Sequence, residues 1–335
     1  MFSRFSTILP KILIIGLVSV YDGLVGALIE ECLRRKPNVI EATEKNIPFS
    51  KILQFKSIDD AQEYIIRREV ESVTRENHTS HLDWFKKRFG FNITPDKKLL
   101  SRFVEICERR HLFTHADGRV NERYLEQFKN NELDDRKGVT VGQKLSVSAS
   151  YYKEAIDTFF EFGIKLGIVC WREIISQNTQ DADLLLNEVS YDLIKQKEYH
   201  LAQRILEFAL SMKKIYSEEI KRMYCVNLAN AYKLSNEPQK SNELLDRYDW
   251  SASNYDFKIS VAAIKDEVEV VCELMTKPTD FEKENFHEWP VFETIKKNKK
   301  FIEAYEKVYG VPFELEELVS DVKDSKLDKS EDLED

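Results

Sequence analysis

The sequence predicts an all-α protein built as a helical bundle followed by helical hairpins. Three observations carry that expectation. Glycine and proline are scarce, with ten and eight positions in 335 residues, while charged residues make up 33% of the chain. A mixture of Leu, Ile, Glu and Lys with few breakers favours helix throughout. Apolar residues also recur at helical spacing in long runs, and no run alternates as a strand would. Finally, past residue 180 one segment repeats another, as detailed below.

The first helix is expected over 8–35, with Leu13, Leu17, Leu24 and Leu28 on one stripe and "KPN" at 36–38 as its stop. Its run "ILIIGLVSVY" is bounded by Lys11 and Asp22. Ten uncharged residues fall short of the roughly 20 that a membrane span needs, so the reading is a buried amphipathic core helix, with no membrane partner. A second helix over 57–76 opens on Ser57 with acidic residues in its first turn. A third, "HTSHLDWFKKRFG", ends at Gly90, a natural residue to follow a helix. The fourth follows "TPD" and carries Leu99, Leu100, Phe103, Val104, Ile106 and Cys107 at helical spacing. A loop at 129–147 rich in turn formers precedes a long helix over about 148–176. Five helices with short connections suggest an up-and-down bundle.

From residue 179 to 312 the pattern becomes helical hairpins. "VSYDLIKQKEYHLAQRIL" and "LANAYKLSNEPQKSNELL" superpose at an offset of 39, matching Ser190 to Ala229, Ala202 to Ser241 and Leu206 to Leu245. This alternation of small and large residues resembles the tetratricopeptide repeat, whose small positions let paired helices approach closely. "ISVAAIKDEVEVVCELM" is a degenerate third unit, and "VFETIKKNKKFIEAYEKVYG" one further helix. Residues 313–335 form an acidic tail, expected to be disordered from about 319.

The net charge of −9 is uneven. Residues 1–128 hold 21 basic against 18 acidic side chains, whereas 314–335 hold 3 against 10. The first part tolerates a polyanion; the last is a solvated acidic end. Five widely spaced cysteines without a CxxC pair read as core residues of a reduced, cytoplasmic protein. No P-loop, GxGxxG or GxSxG pattern is present, which leaves nucleotide-dependent and serine-esterase chemistry without a basis.

The chemistry concentrates in "ICERRHLFTHADGRVNERYL", residues 106–125. The stripe Leu100, Val104, Cys107 continues to His111 and His115, and the stripe Leu99, Phe103, Ile106 continues to Arg110. An apolar ridge that turns cationic over its last turn has to open onto a cleft or an interface, because burying those groups unpaired costs several kcal/mol. Arg110 and His115 lie about 140° apart round a straight helix. They meet one ligand only through a bent helix end, through the reach of arginine, or across a two-fold axis.

These residues resemble the HEPN domains, all-helical bundles whose catalytic form carries R-x(4–6)-H with a polar residue after the arginine. "RHLFTH" supplies Arg110, His111 and His115, "ADGRVNERYL" is similar to the turn and re-entry that follow in that family, and "LVSVYDGLVGALIEECL" to its first helix. The resemblance covers roughly residues 8–176, with 1–128 and 148–178 as the bundle. "RENHTSH", Arg75 to His81, fits the bare motif as well but lacks that context. The resemblance implies a metal-independent endoribonuclease without a cofactor, acting on RNA as a homodimer formed through the N-terminal bundle. It also implies a toxin or anti-phage role, with the hairpins free to bind a protein partner or antitoxin. Glu105, Arg109, Thr114 and Arg119 are the expected supporting residues. Three alternatives use the same side chains. His111 and His115 have the i, i+4 spacing of a metal pair, although no Glu follows the first histidine. His and Arg also cap carbonyls at a helix C-terminus. And both modules could serve binding alone, in a non-catalytic interaction protein.

Overall fold

A computed structural model describes residues 2–41, 47–91, 96–127 and 138–314. The described residues contain helices and no strand. In chain order these are α1 (Phe2–Arg35), α2 (Asn38–Glu41), α3 (Phe49–Ile52), α4 (Ile58–Thr74), α5 (His78–Phe89), α6 (Lys97–His115), α7 (Glu122–Glu126) and α8 (Ala149–Ile174). There follow α9 (Thr179–Lys195), α10 (Tyr199–Ser211), α11 (Glu218–Leu234), α12 (Pro238–Leu245), α13 (Tyr255–Ile264), α14 (Val268–Leu274), α15 (Asn285–Glu288) and α16 (Lys299–Tyr309). The chain divides into two compact units, 1–224 and 225–335.

In the first unit α1 is the central helix, packed against α4, α6 and α8. Ile14, Val18, Tyr21, Val25, Ile29, Cys32 and Leu33 are buried along it. It runs alongside α8 closely enough that a Cβ on Gly163 would come within 3.1 Å of Leu24. Phe103 of α6 stacks on Phe162 of α8 at 4.2 Å, and Tyr21 sets its ring edge-on to both Phe103 and Phe159. The expected amphipathic character of α1 does not hold. The expected stripe is not the core face: Leu13 and Leu24 are exposed and Leu17 and Leu28 half-buried, and the outward side also carries Leu9, Ile12 and Val20, with Val20 74% exposed. Over Ile8–Arg35 the helix is long and apolar enough to cross a membrane by length and composition, once Lys11 and Asp22 are tolerated within the span.

The caps follow local sequence chemistry. Ser57 accepts from the Asp60 N–H, Asn77 from Ser80, Asp96 from Lys98 and Leu99, and Ser148 from Tyr151. Gly90 ends α5 at φ 73°. Half of the expected loop at 129–147 lies outside the described residues. The rest folds back on the chain after α6: Val120 N–H donates to the Gln143 carbonyl and Leu145 N–H to that of Gly118, with one antiparallel bridge between Arg119 and Lys144.

The first unit extends beyond the expected break at residue 178. Arg172, near the end of α8, ion-pairs with the buried Asp183 of α9 and donates to the Lys214 carbonyl. Breaking so buried a pair would strand a charge, which ties the α9–α10 hairpin to the bundle.

Three hairpin turns are built alike. Lys197, Asn236 and Asp266 adopt φ of 64°, 66° and 58°. The next residue's N–H reaches back to a carbonyl five residues earlier: Glu198 to Leu193, Glu237 to Tyr232, Glu267 to Ala262. This is the helix-terminating motif with a left-handed residue, made here without glycine. Its spacing is 39 residues and then 30, so the period is not uniform. Ala202, Ala209 and Ala229 are fully buried, and the Ser241 hydroxyl donates to the Ala229 carbonyl at 2.7 Å.

The single helix expected from "VFETIKKNKKFIEAYEKVYG" is two pieces. Pro290–Phe292 is a 3-10 turn, and Asn298 caps α16 by accepting from Lys300 N–H. Asparagine competes with a continuous helix by bonding the backbone itself. Phe313 stacks on His287 with ring centroids 4.1 Å apart, so the chain is still packed where the tail was expected to begin. The disorder expected after residue 319 concerns residues outside those described.

Ala229→Leu should overpack the α11–α12 contact and cost about 1–3 kcal/mol in a urea titration. An unchanged midpoint would contradict the close approach of these two helices.

Candidate functional site

Helix α6 carries the site residues, and its inner side anchors it. Glu105 is buried and accepts from Arg109 Nε at 2.7 Å, the Tyr124 hydroxyl at 2.6 Å and the Tyr151 hydroxyl at 2.8 Å. Arg109 also donates to the Ser146 carbonyl and lies 4.0 Å over the Tyr151 ring. The carboxylate thus joins α6 to α7 and α8. Glu105 and Arg109, expected as supporting residues, join these helices through that network.

The helix runs unbroken through His115, so the wide separation of Arg110 and His115 persists. Arg110 turns towards α1, where its Nη2 donates to Asp22 at 3.1 Å. Its Nε is buried with no hydrogen-bond partner. Asp22 also takes His78 Nε2 of α5 at 2.9 Å. All three side chains remain within reach of solvent, at 26%, 27% and 18% exposure for Arg110, Asp22 and His78.

His111 and His115 sit together on the outer side, ring centroids 4.7 Å apart. His115 is exposed and His111 half-buried. Partial burial, Arg123 and His115 together hold the His111 imidazole below its ordinary pKa. Among the described residues no group of three His, Cys, Asp or Glu side chains is arranged to hold a metal ion. Thr114 donates back to the Arg110 carbonyl at 2.9 Å, a local bond within the helix. Arg119 is exposed and reaches the Gly142 carbonyl at 3.4 Å.

The turn after α6 is fixed by its residue types. Asp117 (φ 48°) and Gly118 (φ 80°) are left-handed, and a Cβ on Gly118 would meet the Leu145 carbonyl and the Phe113 ring at 3.1 Å. The Asp117 carboxylate bridges Lys11 at 2.8 Å and Lys144 at 2.6 Å, which lowers its pKa to about 2.

The rival match Arg75–His81 does not form a site. Arg75 pairs with Glu71 on the surface, while His81 is completely buried with neither ring nitrogen hydrogen-bonded. Burial, reinforced by His78 beside it, pushes the His81 imidazole down to about 4. Trp84, from the same segment, donates to the buried Glu69 at 2.8 Å. A groove of about 790 Å³ lies elsewhere, between α6, α8 and α10. Several of its cations are paired within it, Arg102 with Glu154, Lys153 with Asp157, and both Lys165 and Arg204 with Glu161.

Comparison with family models, with curated proteins and with solved structures finds no match. The functional reading therefore stands on the site itself. Sequence reasoning missed Asp22, whose only signal was a carboxylate midway along an apolar helix.

Two outcomes check this description. Glu105→Ala should destabilise by about 3–5 kcal/mol, the cost of leaving a buried cation unpaired. A variant of wild-type stability would move Glu105 out of the scaffold. His81, with its pKa lowered from 6.5 to about 4, is neutral when folded while the unfolded chain binds a proton. Stability should therefore fall as pH drops through that window, by about 3 kcal/mol from this group. His81→Leu should flatten that part of the slope; equal slopes in both proteins would refute the assignment.

Proposed function

We propose that the chain is a metal-independent endoribonuclease of the HEPN type, working as a homodimer. The observation that carries this reading is the cationic end of α6, where Arg110, His111 and His115 occupy its last turns and all remain reachable from solvent. Their types match a single reaction. A ribose 2′-hydroxyl attacks the adjacent phosphorus, His115 takes its proton, and the bond to the 5′-oxygen breaks to leave a 2′,3′-cyclic phosphate. An imidazole suits the proton transfer, because its ring nitrogen can accept and release a proton. A guanidinium suits the crowded charge on phosphorus, since its donors are forked and permanently charged.

Arg110 faces α1 while His115 faces outward, so one protomer divides the motif between two sides of a helix. Pairing two protomers would bring the arginine of one towards the histidine of the other. The outward side of α1 supports this. Leu9, Ile12, Leu13 and Val20 leave an apolar face on α1, of the sort that marks an interaction surface. A toxin or anti-phage role belongs to the same reading, with the hairpins of 179–312 as the part that binds a partner.

One observation favours the non-catalytic alternative. The Asp22–Arg110 pair partly neutralises the guanidinium, as in a purely structural ion pair. RNA cleavage discriminates between the two.

The purified protein should cleave RNA in EDTA, spare DNA, and leave 2′,3′-cyclic phosphate and 5′-hydroxyl ends. His115→Ala should lower the rate by about 10²–10⁴, and Arg110→Lys should also be slow because a point charge lacks the fork. His111→Asn should retain activity and Thr114→Ala should change little. Light scattering should give a dimer at micromolar concentration. Activity lost in EDTA and restored by zinc would instead favour the His111–His115 pair as metal ligands. Folded, dimeric protein without any RNA cleavage would leave the binding role.

A further inference from the structure

The reaction proposed above moves two protons: one leaves the 2′-hydroxyl, the other must reach the departing 5′-oxygen. His115 accounts for the first. Four features mark a second group. His78 is the first residue of α5, directly after Asn77, whose side chain caps the helix by accepting from Ser80 N–H. Its Nε2 bonds the carboxylate that also holds Arg110, so arginine and imidazole share one anchor. Its exposure of 18% leaves it accessible, unlike His81 three residues on, which is wholly enclosed. The Phe103 ring lies edge-on 6.1 Å away and that of Tyr21 at 6.3 Å, limiting the ring's freedom.

We propose that Asp22 and His78 complete the phosphate site at Arg110, with His78 as the acid that protonates the leaving 5′-oxygen and Asp22 as the positioning residue for both His78 and Arg110. This assignment rests on the ribonuclease reading and goes beyond the R-x4-H residues. The balance is closed. The P–O5′ bond breaks with its electron pair on oxygen, His78 supplies the proton, and the proton taken from the 2′-hydroxyl restores it through solvent after the product leaves. No metal, oxidant or co-substrate enters.

The charged and titratable groups around His78 suit this role. On α1, Asp22 accepts a hydrogen bond from the ring. On α6, Arg110 is itself tied to Asp22, and the Cys107 thiol is held neutral, its pKa raised chiefly by burial. His81 on α5 stays neutral near pH 7, its pKa at about 4. Asp22 thus resembles the carboxylate that orients a catalytic histidine in other acid–base pairs. A guanidinium anchored on a fixed carboxylate also loses less freedom when it meets a phosphate.

The test compares two substrates on the full-length protein. One is an RNA dinucleotide, whose 5′-alkoxide leaving group needs a proton. The other is the same dinucleotide with sulfur in place of the bridging 5′-oxygen, whose thiolate leaves unaided. His78→Gln should slow the oxygen substrate by about 10²–10³ and the sulfur substrate less than threefold. Arg110→Ala should slow both. Asp22→Asn should raise KM for both through Arg110, and slow kcat more for the oxygen substrate. If His78→Gln misfolds by circular dichroism, the wild-type pH profile decides: the alkaline fall in rate seen with oxygen should vanish with sulfur. Equal slowing of both substrates by His78→Gln, or the same alkaline limb for both, overturns the assignment while leaving the ribonuclease reading intact. A wild-type protein that cleaves neither substrate overturns that reading, and this one with it.

Discussion

A carboxylate midway along an apolar helix must be met by donors, or the helix cannot pack. Asp22 sits in that position on α1, between the buried Val18 and Tyr21 on one side and Val25 on the other. Two donors answer it, the guanidinium of Arg110 from α6 and the imidazole of His78 from α5. The requirement therefore fixes where three helices meet. It also determines which side of α6 the arginine occupies. Removing the carboxylate would leave Arg110 with both its Nε and its Nη2 unpartnered beside an apolar core.

The end of α6 consequently has two sides with different chemistry. Inward, Arg110 is oriented and partly neutralised; outward, His111 and His115 are close together, with His111 held below its ordinary pKa by partial burial and Arg123. A guanidinium held on a carboxylate is well placed to exchange part of that bond for a phosphate oxygen, since both are planar or tripodal oxygen acceptors of forked donors. The outer histidines lack such a fixed partner, which suits groups that exchange protons with solvent or with a second protomer. The rigid frame beneath both sides comes from Glu105, whose three donors lock α6 to α7 and α8.

Much of the fold was legible because caps and periodicity are local. Ser57, Asn77, Gly90, Asp96 and Ser148 mark helix ends through bonds to neighbours a few residues away. The Asp117–Gly118 turn was legible for the same reason, since its left-handed backbone follows from residue type. The small residues Ala202, Ala229 and Ser241 were found because a repeat displays the same packing need twice. What escaped were partnerships across long separations. Asp22 and Arg110 are 88 residues apart, Glu105 and Tyr151 46 apart, and nothing in either local sequence announces the other. For that reason the sequence marks Glu105 and Arg109 as supporting residues without showing the tyrosines and carbonyl they bond. His78 starts α5, and its reach to the carboxylate 56 residues away has no local signal either. The stripe read on α1 (Leu13, Leu17, Leu24, Leu28) lies one position off the buried face of Ile14, Val18, Tyr21, Val25 and Ile29, because a helix that is apolar nearly all round offers several equivalent stripes.

In the proposed reaction the end of α6, with Arg110, directs a ribose hydroxyl onto its own phosphate. The most direct measurement uses a DNA strand carrying one ribonucleotide, incubated with the full-length protein in EDTA. Cleavage only at the linkage 3′ to that ribose, lost when its 2′-hydroxyl is methylated and lost in Arg110→Ala, is the predicted result. Cleavage at deoxyribose linkages, or cleavage indifferent to Arg110, would contradict it.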